Sequence, residues 1–295
     1  MSRLADPKIL MSIKDLPLAA KTTVDGFMAG IHAGTLKGEG MEFSQYRSYQ
    51  AGDDLRRLDW KMFARSDRYY IRESEIETSI SVRFLVDASA SMDHEDSGFT
   101  KIEYARYLAA SLAYLAGTQH DATGLYIFRD GEVFVLPSRK DHQHLSRIFY
   151  QLEKIVPAGH FTEPVHYRDI FAGSTKKELL IFITDFYEEH GEIMELLRSL
   201  ASSRHEIIVF HLLGRNEMEL DYGTYTALQD LESGKTIRID PAQLKKTYTE
   251  QLEARIAAIR TELLNKNILY RLICMDEPID KALVDFLKQR NKISR

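Results

Sequence analysis

The sequence is poor in cysteine, lacks an excess of basic residues and has no long apolar run. Its 295 residues include one cysteine, Cys274, so neither an internal disulfide nor a zinc site built from several cysteines can form. The 39 Lys and Arg residues are outnumbered by 44 Asp and Glu residues, which argues against a protein held to nucleic acid mainly by phosphate contacts. We therefore expect a reducing compartment and no nucleic-acid partner.

Long hydrophobic segments are also missing. The longest largely apolar stretch, residues 107–117, has roughly half of the length that a membrane-spanning helix needs. The N-terminal residues include Asp6 and Asp15 and do not resemble a secretory signal. These features predict a cytoplasmic protein without direct membrane insertion.

The composition that remains, 44% hydrophobic and 28% charged residues, is typical of a folded globular chain. The pattern changes near residue 78. Residues 1–78 contain short helical segments and then a stretch dense in charges and aromatic side chains. Residues 79–295 alternate between short apolar runs and helical periodicity, which indicates α/β architecture. We predict an N-terminal segment, 1–78, and an α/β domain, 79–295.

The order of the apolar runs predicts the sheet. An Asp130-Gly131 turn makes residues 132–136 antiparallel to the preceding strand, whereas the other strands are separated by helices and should be parallel. The predicted fold is a doubly wound, mostly parallel sheet with one antiparallel edge strand and helices on both faces, with the N-terminal segment packed on it. The parallel strands are predicted at 82–87, 123–128, 178–184, 205–213 and 268–275.

Polar side chains follow two of these strands. The first strand ends in Asp87-Ala88-Ser89-Ala90-Ser91, and a later one ends in Thr184-Asp185. Ligands of open parallel sheets bind at the carboxyl ends of strands, and carboxylate and hydroxyl oxygens suit Mg²⁺ or Mn²⁺. The alternative is that the serines cap a turn and Asp87 accepts backbone N–H groups. The spacing of these residues does not distinguish a metal site from a turn-capping role.

These motifs resemble those of known families. DASASM, followed later by TDF, resembles the metal-ion-dependent adhesion site (MIDAS) of von Willebrand factor A-like domains. The stretch GEGMEF at 38–43, with RSYQAGDDLRRLDW at 47–60, resembles the signature of the bacterial domain-of-unknown-function family 58 (DUF58). The resemblance implies that the metal ligands are Asp87, Ser89, Ser91, Thr162 and Asp185. Thr162 lacks the usual Gly-Gly before it, and Phe186 replaces the common glycine after Asp185.

The resemblance implies adhesion rather than catalysis. A MIDAS leaves one coordination position of a divalent cation open for a Glu or Asp of a partner. Relatives are commonly encoded with MoxR-type AAA+ ATPases. The expected function is therefore a non-enzymatic adaptor that works with such an ATPase. Other von Willebrand A-domain proteins, some of them membrane-bound, are further expected partners.

The charged stretch before the domain permits other interpretations. Its carboxylates could gather two metals in a phosphohydrolase or nuclease. Alternatively, its ion pairs could form a structural network with Trp60 as apolar anchor, or a surface that recruits the partner. A third possibility for the whole chain is a scaffold with a vestigial metal site. The stretch comprises Arg47, Asp53, Asp54, Arg56, Arg57, Asp59, Trp60 and Arg65.

Two further motifs resemble binding sites but do not have the residues or spacing that such sites need. Residues 233–236, SGKT, resemble the end of a phosphate-binding loop, but Gln229 stands where that loop needs a glycine. If ATP is involved, a partner should hydrolyse it. His142 and His144 are two positions apart on a predicted helix, so they should point to different faces and be solvated rather than bind a metal together.

Overall fold

The structure is a computed structural model. It describes residues 6–35, 46–50, 58, 60–66, 68–72, 79–161, 177–188, 190–202, 205–222 and 226–293. The chain divides into two compact units. One unit comprises Met1–Phe27 and Ser79–Arg295, and the other comprises Met28–Thr78.

The described helices and strands follow the alternation that the sequence predicts. The helices are α1 Pro7–Ser12, α2 Leu16–Thr35, α3 Trp60–Ser66, α4 Lys101–Thr118, α5 His142–Glu153, α6 Glu192–Ala201, α7 Arg215–Glu219, α8 Pro241–Asn265 and α9 Asp280–Ile293. The strands are β1 Tyr46–Ser48, β2 Tyr70–Arg72, β3 Ser81–Asp87, β4 Glu95–Asp96, β5 Phe99–Thr100, β6 Ala122–Arg129, β7 Glu132–Arg139, β8 Leu179–Thr184, β9 Glu206–Leu213, β10 Thr226–Gln229, β11 Thr236–Ile239 and β12 Leu269–Cys274. A 3₁₀ turn, Ala90–Asp93, follows β3.

Six strands form the central sheet, in the order β12-β9-β8-β3-β6-β7. Neighbouring strands are parallel except β6 and β7, which are antiparallel, so the predicted antiparallel edge strand is confirmed. After β3 the chain adds β6 on one side and later adds β8 on the other. This reversal makes the β3–β8 boundary the switch point of the sheet, where parallel α/β folds bind ligands.

Both faces of the sheet are buried. Leu85, Phe182 and Val209 lie side by side on one face and pack with residues of α6 and α8 in one apolar cluster. Their strand neighbours Phe84 and Ile181 point to the opposite face and are also fully buried. Helix α4 contacts β3 and β6, and α9 contacts β8 and β9. The predicted doubly wound α/β fold is confirmed.

The start of the first unit adds to the helical layer. In α1, Asp6 caps the helix by accepting the N–H of Lys8, and Pro7 occupies the first turn. This helix contacts α4, where the Tyr107 hydroxyl donates to the carbonyl of Ile13 at 2.7 Å. Helix α4 begins with a capping box between Thr100 and Glu103.

The described part of the second unit is small and aromatic. Strands β1 and β2 are antiparallel, and the Tyr69 ring stacks on Phe63 of α3 at 4.4 Å between centroids. Trp60 packs edge to face on Phe63 but is 62% exposed. The suggested role of Trp60 as an apolar anchor stays a prediction, because Asp53, Asp54, Arg56, Arg57 and Asp59 of that network lie outside the described residues.

One prediction in the first unit is wrong. His144 is buried, and its Nε2 lies 2.8 Å from the carbonyl oxygen of Thr123, so this side chain ties α5 to β6 instead of meeting solvent. Among the described residues, no helix has the length and apolar character needed to span a membrane.

Candidate metal centre

The two predicted strand-end motifs meet at the switch point of the sheet. Asp87 is the last residue of β3, and Asp185 follows the last residue of the adjacent β8. The loop after β3 is held by its backbone: the N–H of Ala88 donates to Phe128, and the N–H of Ala90 donates to the carbonyl of Gly159. This anchoring brings Ser89 and Ser91 back over the strand ends.

Four predicted ligands form one buried network. The Ser89 hydroxyl donates to Oδ1 of Asp87 at 2.8 Å, and the Ser91 hydroxyl donates to Oδ1 of Asp185 at 3.2 Å. The two serine oxygens are themselves 3.1 Å apart. Two hydroxyl protons cannot serve all three of these contacts at once, so the network lacks a donor. All four side chains are buried.

Asp87 is fixed on both carboxylate oxygens. Its Oδ1 accepts from the backbone N–H of Ser89 at 3.0 Å, and its Oδ2 accepts from the Thr184 hydroxyl at 2.7 Å. Burial, reinforced by the charge of Asp185, raises the pKa of Asp87 from 3.8 to about 7. The charged form of this carboxylate therefore needs a compensating positive charge.

Lys101, at the start of α4, supplies part of that charge. Its ammonium nitrogen lies 2.9 Å from Oδ2 of Asp185 and 2.7 Å from Oε1 of Glu217, and the side chain is 3% exposed. Burial would lower the pKa of Lys101, but the two carboxylates raise it above its ordinary value. Burial would raise the pKa of Asp185, yet Lys101 brings it below the ordinary value. The sequence reasoning missed both Lys101 and Glu217.

Phe186, in the loop after β8, stands where the usual motif has glycine. Phe186 has a φ of +54°, a left-handed conformation in which glycine is the least strained residue. Its ring is buried and lies 5.0 Å from the ring of His211. Burial lowers the pKa of His211 to about 3, so this histidine is neutral. The N–H of Tyr187 donates to Oδ1 of Asp185, which fixes the carboxylate from the loop side.

The donor set fits a hard divalent cation. Two carboxylates and two hydroxyl oxygens converge, all are oxygen donors, and the hydroxyl lone pairs that lack a donor are the atoms that a cation would engage. The described residues contain no group of three or more His, Cys, Asp or Glu side chains arranged as a metal site. A cation here would thus depend on serine as well as carboxylate ligands.

Several predicted residues cannot be placed in this site. Thr162 lies outside the described residues, as do Asp53, Asp54, Arg56, Arg57 and Asp59. Arg65 is exposed on α3, and Arg47 lies in β1 opposite Ile71. The proposed catalytic carboxylate cluster of this stretch therefore remains a prediction.

Comparisons with known proteins identify relatives. The family described as "Protein of unknown function DUF58" matches residues 45–258. Uncharacterized protein Rv1480 of Mycobacterium tuberculosis and Uncharacterized protein Mb1516 of Mycobacterium bovis are each 30% identical over 244 residues. These alignments cover 80% of this chain and 76% of each relative.

Solved structures include two similar chains from Bacteroides. BatB from Bacteroides thetaiotaomicron has 19% identity, and an aerotolerance-related membrane protein from Bacteroides fragilis has 20%. Each match has a TM-score of 0.49 and covers 72% of this chain and all of the other chain. Similarity at this level carries no functional weight. The family match leads to one conclusion: this chain, with its doubly wound six-stranded sheet, belongs to the DUF58 family.

Proposed function

We propose that this chain is a non-enzymatic protein-interaction module whose partner binding depends on a divalent cation, Mg²⁺ or Mn²⁺. Membership of the DUF58 family, together with the resemblance of DASASM and TDF to the adhesion site of von Willebrand factor A-like domains, supports an interaction module. The single observation that supports the cation is the buried convergence of Asp87, Ser89, Ser91 and Asp185 at the switch point of the sheet. Thr162 is a further predicted ligand.

Each ligand is oriented before a cation binds. Ser89 N–H and Thr184 hold the carboxylate of Asp87, while Tyr187 N–H and Lys101 hold that of Asp185. Such fixed ligands lose little freedom when they bind an ion. The bound cation would supply an electrophilic position for a carboxylate. The side chains thus provide a rigid, negatively charged binding site for a cation, and none of them acts as an acid, a base or a nucleophile.

The proposed partner is a MoxR-type AAA+ ATPase, and further partners are other von Willebrand A-domain proteins, some of them membrane-bound. The family resemblance supports these partners, and the negative net charge and single cysteine support a cytoplasmic location without nucleic acid. In this proposal the ATPase hydrolyses ATP, and the present chain couples it to a client.

A capture experiment tests the proposal. The full chain is immobilised and offered the purified MoxR-type ATPase with Mg²⁺ or with a chelator. Asp87→Ala is compared with Asp25→Ala, which removes an exposed aspartate of α2. We expect capture by the wild type and Asp25→Ala only with Mg²⁺, and no capture by Asp87→Ala. Capture that survives both the chelator and Asp87→Ala would contradict the proposal.

One observation favours a second candidate, a scaffold with a vestigial metal site. The Lys101 ammonium already pairs with Asp185 and Glu217 and so offsets part of the charge that a metal ion would balance. This candidate predicts partner capture that needs neither metal nor Asp87. The remaining alternative, a phosphohydrolase or nuclease, predicts metal-dependent phosphodiester cleavage that is lost when Asp53, Asp54 or Asp59 is changed.

A further inference from the structure

Four aromatic rings form a continuous row in the second unit. The ring centroids of Trp60 and Phe63 lie 6.3 Å apart, those of Phe63 and Tyr69 lie 4.4 Å apart, and those of Tyr69 and Tyr49 lie 6.2 Å apart. The backbone N–H of Tyr49 donates to the carbonyl of Tyr69 at 2.9 Å, which extends the pairing of β1 with β2. This aromatic row therefore connects α3 to the two strands.

The aromatic row is open to solvent at two of its rings. Trp60 is 62% exposed and Tyr69 is 49% exposed, whereas Phe63 and Tyr49 are partly buried. Single exposed apolar side chains are common on protein surfaces, but two large aromatic rings exposed in one packed row form a patch. Such a patch is typical of a surface that another molecule covers.

Basic side chains accompany the aromatic row. Arg65 lies in the last turn of α3, and Arg68 directly precedes Tyr69. Both arginines are exposed, and neither forms an ion pair within the part of the chain that the structure describes. Residues 46–72 contain seven Arg or Lys residues and four Asp residues, whereas the whole chain has a net charge of −5. The aromatic row thus lies in a basic segment of an acidic chain.

These side chains define the chemistry that they would recognise. The planar guanidinium of arginine binds a carboxylate through two parallel N–H···O contacts, and Trp and Tyr rings offer flat faces to apolar groups. Trp, Tyr and Arg are also the residues that most often dominate the energy of protein–protein interfaces. Single-stranded nucleic acid uses similar groups, but the net negative charge of this chain disfavours a phosphate backbone. The charge of residues 46–72 therefore complements an acidic segment of a protein.

We propose that the aromatic row, together with Arg65 and Arg68, docks an acidic segment of a partner protein. Carboxylates of that segment contact the two arginines, and its apolar side chains cover Trp60 and Tyr69. This inference rests on the proposed role of the chain as an interaction module. It does not require the cation, because none of the predicted cation ligands belongs to this surface. The surface adds a second contact to the cation-dependent one.

The fluorescence of Trp60 tests this inference directly, because Trp60 is the single tryptophan of the chain. The full chain is titrated with poly(Glu,Tyr), a random copolymer that carries carboxylates and aromatic rings, under excitation selective for tryptophan. Poly-L-lysine and oligodeoxythymidine are the comparison probes. Acrylamide quenching measures the access of solvent to Trp60 in the free and the bound chain.

Two double variants with equal charge locate the binding. The first variant combines Arg65→Gln with Arg68→Gln. The matched control combines Arg139→Gln with Arg147→Gln, which removes two exposed arginines from β7 and α5. Because all four side chains are exposed, the substitutions should leave the fold intact, and thermal melting verifies this. Asp87→Ala and a chelator report on the cation site in the same titration.

Acrylamide should quench Trp60 in the free chain, and the copolymer should shift its emission and protect it from the quencher. The Arg65 and Arg68 double variant should bind the copolymer on the order of tenfold more weakly than the wild type. The matched control should bind like the wild type. Sodium chloride should weaken the binding, because exposed charges are screened by salt.

Several results would overturn the inference. Equal affinity of the two double variants, or no response of Trp60 to the copolymer, would show that this surface does not dock an acidic segment. Tighter binding of poly-L-lysine or oligodeoxythymidine would assign it to a different partner chemistry. An emission shift with the chain's own concentration alone would assign it to a second copy. Asp87→Ala and the chelator should leave copolymer binding unchanged, so this inference and the cation site can fail separately.

Discussion

The ammonium nitrogen of Lys101 lies 2.9 Å from Oδ2 of Asp185, and both side chains are almost completely buried. This ion pair leaves Oδ1 of Asp185 facing Ser91, so one oxygen serves the lysine and the other serves the candidate metal centre. The lysine lowers the charge of the centre without using the serine oxygens. A divalent cation and Lys101 can therefore share the same carboxylate.

Lys101→Met should destabilise the metal-free chain by about 3–5 kcal/mol, because Asp185 and Glu217 lose the ammonium group that balances their charges. Urea denaturation measures this loss. A divalent ion at a hundredfold excess over its dissociation constant should return about 2.7 kcal/mol. Lys281→Met, which removes an exposed lysine of α9, is the control. Equal stability of the two variants would contradict the role given to Lys101.

Asp87→Asn should change the pH dependence of stability. Because the folded chain raises the pKa of Asp87 from 3.8 to about 7, it holds this proton more tightly than the unfolded chain does. Stability from this group is therefore present at low pH and is lost as the pH rises through about 7. Without metal, the melting temperature of Asp87→Asn relative to wild type should rise between about pH 4 and pH 8. A melting-temperature difference that does not change with pH would contradict the raised pKa of Asp87.

Gly159→Ala should damage both the fold and the site. Gly159 has a φ of +64°, and an added Cβ would lie 2.1 Å from Oδ1 of Asp130. Its carbonyl also accepts the N–H of Ala90, in the loop that carries Ser89 and Ser91. Strain alone should cost about 1–3 kcal/mol, and the clash should add to it.

The matched control is Gly191→Ala, where φ is +85° but, apart from its two chain neighbours, no described residue lies within 4 Å of the added Cβ. Differential scanning fluorimetry compares the two variants. Gly159→Ala should melt lower and bind Mn²⁺ more weakly. Equal melting temperatures would show that the contact with Asp130 has no consequence.

Phe186→Gly should be less destabilising than Phe186→Ala. Both variants lose the buried ring that packs on His211 and Tyr270. Only glycine adopts a φ of +54° without backbone strain. We expect Phe186→Ala to cost about 3–5 kcal/mol and Phe186→Gly roughly 1 kcal/mol less. The free energies of unfolding in urea decide the order. The reverse order would mean that the left-handed backbone carries no strain.

The strand ends could be predicted because they rest on local signals. Asp87 and Asp185 each follow a short apolar run, and parallel strands bring such ends to one edge. Phe186 was visible as a departure from a motif, but its positive φ and its packing partners were not.

The residues that the sequence did not reveal depend on long-range placement. Lys101 meets carboxylates 84 and 116 positions away, and nothing in its own surroundings marks a buried ion pair. His144 was misjudged for the same reason, since its partner Thr123 belongs to a neighbouring strand.

Calorimetric titration of the metal-stripped chain with Mg²⁺ and Mn²⁺ tests the cation site most directly. The wild type is compared with Asp87→Ala and Ser89→Ala, and Asp25→Ala serves as the control. Saturable binding of one ion by the wild type and the control, lost in both site variants, is the expected result. Binding that persists with unchanged affinity in both site variants, or no binding by the folded wild type, would contradict a cation held by Asp87, Ser89, Ser91 and Asp185.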